Sequence, residues 1–97
     1  MTRRQRFHVL VRDPAAGGSF EEWPGTLDEA GIHFTQSHPS ARRIEIRFLL
    51  PGAEAEVRAG AEVVRVDRDG DAFVAHALLD GLSPEDALTV SRYLEGA

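Results

Sequence analysis

The side chains that point most directly to chemistry are the arginines at the start of the chain. Arg3, Arg4 and Arg6 fall close together in a 97-residue sequence that contains no lysine. A guanidinium is a planar fork that stacks on a ring and donates paired hydrogen bonds to two oxygens, whereas an ammonium does neither. The cluster predicts an arm, residues 1–6, that folds over a planar anionic ligand. The alternative is a solvated terminal arm.

The partner for such an arm is predicted in segment 25–34, a small-residue turn that joins two strands. Asp28 offers a carboxylate that accepts hydrogen bonds from a base edge, and Gly31 lets the backbone approach a ligand closely. The alternative is an ordinary tight turn that uses a glycine. The residues alone leave both interpretations open.

Three aspartates beside one glycine invite a calcium interpretation: Asp67, Asp69 and Asp71 around Gly70. An EF-hand loop places its glycine after the third acid, adds a distant glutamate and lies between two helices. Here the glycine precedes the third acid, and strands are predicted on both sides. The segment is therefore predicted to be a hairpin turn.

No catalytic or metal-binding motif stands out. The four histidines lack the spacing that places two ligands on one helical face, so a metal site would require them to converge through tertiary folding: His8, His33, His38 and His76. Glu21 and Glu22 are neighbours in a strand and point to opposite faces, which prevents them from acting as an acid–base pair. We expect a protein that is not an enzyme and that holds no metal or cofactor.

The composition of the chain argues against several classes of binding partner. The formal charge of −5 argues against DNA or RNA, whose phosphates require a broadly basic face. No apolar run is long enough to cross a membrane, and the chain contains no cysteine for disulfides or thiolate ligands. These observations predict a cytoplasmic single domain over residues 1–97 that binds no nucleic acid and does not insert into a membrane.

Alternating apolar residues predict the elements that position these side chains. Within the fifth predicted strand the apolar phase changes between Val63 and Val64, which indicates a bulge or a corner where the strand bends. Ser83 and Pro84 supply the N-cap and first residue of a helix. The predicted fold is mostly β: a small antiparallel barrel over 7–80 and one C-terminal helix over 83–95. Its six strands are predicted at 7–12, 20–27, 32–34, 43–50, from 56 onward, and 72–79.

This order of features resembles the PilZ family, bacterial barrels that act as receptors or adaptors in cyclic di-GMP signalling. The family has Arg-x-x-x-Arg before its first strand and Asp/Asn-x-Ser-x-x-Gly between its second and third strands. Arg6 resembles the end of the first motif, and Thr26 to Gly31 resembles the second. The likeness continues through Ile44-Glu45-Ile46, Gly60 to Val66, and Leu82 to Asp86 with Tyr93-Leu94. It implies a six-stranded Greek-key or split barrel.

The departures from the family pattern fall on its nucleotide-binding positions. Thr2 occupies the place of the first arginine, although Arg3 is adjacent. Thr26 replaces the acid or amide, Asp28 replaces the serine, and Gly31 is retained. The resemblance implies that these two motifs contact guanine and phosphate in the family.

Two functions follow from the resemblance. The first is an adaptor that binds a protein partner and has weakened or lost cyclic di-GMP binding, in motility, type IV pilus function or polarity control. The second is a true cyclic di-GMP receptor. Its expected ligand-binding residues are Arg3, Arg4, Arg6, Thr26, Asp28 and Gly31.

Overall fold

Six antiparallel strands close into a barrel and one helix follows them in a computed structural model that describes residues 5–96. In chain order the elements are β1 (Phe7–Arg12), β2 (Glu21–Asp28), β3 (Gly31–Gln36), β4 (Arg43–Phe48), β5 (Val57–Asp69), β6 (Ala72–Asp80) and α1 (Pro84–Gly96). Around the barrel the strands follow the order β1-β2-β3-β6-β5-β4. Since β3 and β4 are not neighbours, the connection between them crosses one end of the barrel. The predicted fold class is confirmed.

The core is formed by the apolar residues that alternate with polar residues along the strands. Along β4, Ile44, Ile46 and Phe48 are buried, and the arginines and glutamate between them are not. Leu50 is also buried, but it lies beyond the end of β4. The strand is therefore shorter than predicted, because the chain turns there: the Ala53 N–H donates to the Leu50 carbonyl at 3.0 Å.

The predicted change of phase in β5 is a register shift between Val63 and Arg65. Val63 pairs with Ala77 and Arg65 pairs with His76, so Val64 is the additional residue. A bulge bends a strand and lets its two halves present different faces. Beyond it, β5 and β6 run on to a hairpin turn at Gly70, whose φ is +63°.

Helix α1 begins where the sequence predicts. The Asp86 N–H donates to the Ser83 hydroxyl at 3.1 Å, which is the N-cap contact. No residue of the helix is fully buried, but Val90, Tyr93 and Leu94 pack against the core. The Tyr93 ring meets the Phe7 ring edge-on, with centroids 6.5 Å apart. These contacts hold α1 on the barrel.

Candidate functional site

Four of the six predicted site residues lie within the described part of the chain. Arg6 is exposed and directly precedes β1, Thr26 and Asp28 lie on β2, and Gly31 opens β3. On β2 the neighbouring Gly25 and Leu27 are buried, so Thr26 and Asp28 occupy the outer face of the barrel. Arg3 and Arg4 lie outside the described residues, as does Thr2.

Arg6 and Thr26 come together at one cavity. Its volume is about 130 Å³, and His33 and Thr35 of β3 also line it, together with Pro24, Gly25, Phe34 and Val74. Pockets that enclose a small ligand usually measure about 300–1,000 Å³. As the described residues form it, this cavity is smaller than such pockets.

Asp28 is held within its own turn. Its Oδ1 accepts a hydrogen bond from the Ala30 N–H at 2.8 Å, an Asx-turn contact, and lies 3.0 Å from Nε2 of His33. The Asp28 side chain is only 11% exposed. The carboxylate that the sequence offers to a base edge therefore stabilises the β2–β3 turn and orients a histidine.

The backbone at Gly31 closely approaches a strand of the same barrel, whereas the sequence predicts an approach to a ligand. Its φ is +130°, and a Cβ at this position would lie 2.2 Å from the carbonyl oxygen of Ala77 on β6. No side chain fits there without moving one of the two strands. The glycine is required by the fold.

A row of outward-facing side chains crosses four strands beside this turn. Thr26 on β2 pairs with His33 on β3, His33 pairs with His76 on β6, and His76 pairs with Arg65 on β5. Directly opposed residues of an antiparallel pair share one face, so all four side chains lie on the outside of the barrel. We call these four residues the outer row.

The centre of the outer row is a pair of histidines in direct contact. Nδ1 of His33 lies 2.8 Å from Nδ1 of His76, and the ring centroids are 4.9 Å apart. Nε2 of His76 lies 2.9 Å from Oδ2 of Asp67, and Arg65 pairs with the same carboxylate oxygen at 3.1 Å. Asp28, His33, His76 and Asp67 thus form a continuous polar chain.

Sequence reasoning did not find this pair, because the two histidines are 43 residues apart. The alternation in β3 and β6 places each of them on an outer face. Only the register between the two strands makes them neighbours. The remaining two histidines have other partners: His8 lies 2.8 Å from Glu22, and His38 lies 3.0 Å from Glu21.

Stacking of guanidinium groups on a ring occurs elsewhere on the barrel. The guanidinium carbons of Arg12 and Arg47 lie 4.8 Å and 5.4 Å from the centre of the Phe20 ring. Both arginines are also paired with acids, Arg12 with Glu45 at 2.6 Å and Arg47 with Glu56 at 2.7 Å. In this cluster the guanidinium groups contact a ring and carboxylates of the same chain.

Several large apolar side chains are exposed. Val64 at the bulge is 56% exposed and Leu78 on the outer face of β6 is 48% exposed. A Cβ on Gly31 would lie 3.6 Å from a methyl carbon of Leu78, so Leu78 borders the candidate site. The other exposed apolar residues are Leu49, Val66 and Leu88.

Comparisons with protein-family models, with characterised proteins and with solved structures find no match to this chain. Within residues 5–96, no group of three or more histidine, aspartate or glutamate side chains surrounds a common point where a metal ion would fit. The helix in this part of the chain lacks the length and apolar character needed to cross a membrane.

Proposed function

We propose that this chain is a non-enzymatic signalling adaptor of the PilZ type, which acts by binding a protein partner and has weak or no affinity for cyclic di-GMP. The observation that carries the proposal is the position of Asp28. It replaces the serine of the family motif, and its carboxylate is engaged by the Ala30 N–H and by His33. A nucleotide would have to displace these contacts.

The energetics favour weakened binding. Thr26 lacks the charged or amide acceptor of the family, and Asp28 would place a negative charge beside a dianionic ligand. Each lost charge-assisted hydrogen bond costs about 1.5–3 kcal/mol. That loss corresponds to roughly a ten- to hundredfold loss of affinity. Two such losses move a micromolar site beyond a useful ligand concentration.

The exposed apolar side chains support a protein partner. Leu78 borders the candidate site, and Val64 lies on the adjoining strand of the same hairpin. Apolar residues that remain exposed on a small domain are favourable contacts for another protein when they form part of a larger patch. Motility, type IV pilus function and polarity are the settings that the family resemblance suggests.

One observation favours the second candidate, a cyclic di-GMP receptor: Arg6 and Thr26 line the same cavity. In a receptor, Arg6 would act with Arg3 and Arg4 to clamp the nucleotide against the β2–β3 turn. Binding would then order the arm and change the surface that a partner contacts.

Calorimetric titration with cyclic di-GMP separates the two candidates. For the adaptor we expect no saturable heat at low micromolar ligand and an unchanged melting temperature. Saturable binding that Arg6→Ala abolishes would contradict the proposal and establish the receptor. Arg42→Ala is the matched control, because the Arg42 side chain is 82% exposed and pairs with Glu62 at 3.3 Å.

The protein partner is tested by crosslinking inside bacterial cells that express the full chain. A photoreactive residue at position 78 should capture one defined protein, and the same residue at the exposed position 54 should not. The captured protein, once purified, should bind the wild-type chain and lose affinity for Leu78→Asp. Equal binding to the folded Leu78→Asp variant would exclude this surface.

A further inference from the structure

The His33–His76 contact belongs to a chain of short polar contacts that two neutral rings cannot fully supply with hydrogens. The chain of contacts contains three short separations: Asp28 to His33, His33 to His76, and His76 to Asp67. Where both aspartates are ionised, each of these contacts requires one hydrogen on a ring nitrogen. Two neutral imidazoles carry only two such hydrogens between them. A cation between the two Nδ1 atoms would complete the chain of contacts.

The carboxylates decide where that cation lies. Each Nε2 lies within hydrogen-bond distance of an aspartate oxygen, and the tautomer that donates a hydrogen there leaves Nδ1 without one. Both Nδ1 lone pairs then point at one another across 2.8 Å. Two histidines that face a common point, each with its other nitrogen bound to a carboxylate, form the arrangement typical of metal-ligating histidines.

We propose that His33 and His76 bind one divalent late first-row metal ion, of the Zn²⁺ class, through their Nδ1 atoms. Asp28 and Asp67 orient the rings without touching the ion. Imidazole nitrogen is a preferred ligand of this class of ions. The two side chains are 19% and 20% exposed, so an ion reaches them from solvent. The inference is independent of whether cyclic di-GMP binds.

The geometry requires a small adjustment. Two Zn–N bonds of about 2.0–2.1 Å at a tetrahedral angle separate the nitrogens by about 3.3 Å. The rings would need to open by about 0.5 Å from their present contact, which a rotation about the broad χ2 of histidine provides. The strands need not move, because β3 and β6 remain paired through the positions on either side.

In the part of the chain that the structure describes, the charged groups around the pair are two carboxylates and two guanidiniums. Asp28 comes from β2, and Asp67 and Arg65 come from β5. Arg6, directly before β1, lines the same cavity as His33. Arg65 is paired with Asp67 at 3.1 Å and lies 3.4 Å from Nε2 of His76, on the side away from the Nδ1 atoms. Since no third protein ligand converges within residues 5–96, water or a solvent ligand completes the coordination.

Titration of the full chain with Zn²⁺ tests the proposal. We expect one ion per chain, a rise in melting temperature on binding, and loss of the binding heat in His33→Gln and in His76→Gln. His8→Gln is the matched control, because His8 is a strand histidine whose side chain is 77% exposed and which lies outside the pair. With Cu²⁺ in place of Zn²⁺, electron paramagnetic resonance should show hyperfine coupling to two nitrogens.

A second variant keeps the test valid if a histidine variant folds poorly. Asp67→Asn retains both ligands and removes the charge that orients His76, so affinity for Zn²⁺ should fall by about 10–100-fold. Absence of Zn²⁺ heat in the wild-type chain would overturn the proposal and leave a proton as the bridging cation. Binding that is equally tight in folded His33→Gln would also overturn it.

Discussion

Asp28 and Gly31 lie in one turn, and each has a structural role there. In the family motif, the same positions would provide contacts to a ligand. Asp28 closes the turn through the Ala30 N–H and holds His33, and Gly31 lets β3 pass against the backbone of β6. Since the register between β3 and β6 also sets the His33–His76 contact, a change at position 31 affects the histidine pair.

Gly31→Ala is expected to lower the free energy of unfolding by about 3 kcal/mol or more, because a Cβ combines an unfavourable φ with overlap against a backbone carbonyl. Gly52→Ala is the control: its φ is +82°, but nothing lies within 4 Å of an added Cβ, so it should cost only about 1–2 kcal/mol. Urea unfolding measures both. Equal losses of unfolding free energy in the two variants would show that the close approach to Ala77 does not add to the cost of a Cβ at position 31.

At the scale of the elements, the alternation of apolar and polar residues predicts which strand residues are buried and where a strand is irregular. Ile44, Ile46 and Phe48 are buried as a period of two requires, and the change of phase after Val63 is a bulge. The partners of the site residues were not predictable in this way. No local pattern specifies that His33 pairs with His76, or that the Asp28 carboxylate turns back to its own strand connection.

The N-cap of α1 gives a prediction for an element. Ser83→Ala removes the hydroxyl that accepts from the Asp86 N–H, and we expect a loss of about 1 kcal/mol in unfolding free energy. For a domain of this size that corresponds to a fall of about 4–8 °C in melting temperature. Ser91→Ala, in the exposed middle of the same helix, should change stability by less than about 0.5 kcal/mol. A Ser83→Ala variant with the same melting temperature as the wild type would contradict the capping role.

The stability of the whole molecule should depend on pH through His38. The Pro39 carbonyl accepts a hydrogen bond from its Nδ1 and raises the pKa of His38 above 6.5. Burial opposes this shift, and Glu21 adds to it. Because the folded-state pKa is the higher one, the stabilisation is present below pH 6.5 and disappears as the pH rises through the folded-state value.

Measurement of unfolding free energy from pH 5 to about pH 9 should therefore show a decline in the wild type that His38→Gln reduces. Glu21→Gln keeps an acceptor but loses the charge, and should reduce the decline only in part. Superimposable pH profiles for the wild type and His38→Gln would contradict this assignment.

The bulge in β5 also bears on a strand edge that extends beyond β4. β5 pairs with β4 only as far as Glu62, so its second half, toward Asp69, presents backbone groups along an edge that β4 does not cover. An uncovered edge is a template on which another chain adds a strand. Here the edge begins with a bulge that interrupts regular pairing, and the alternating charges of Arg65, Asp67 and Arg68 follow it. Both features discourage strand addition at this edge, beside which Val64 is exposed.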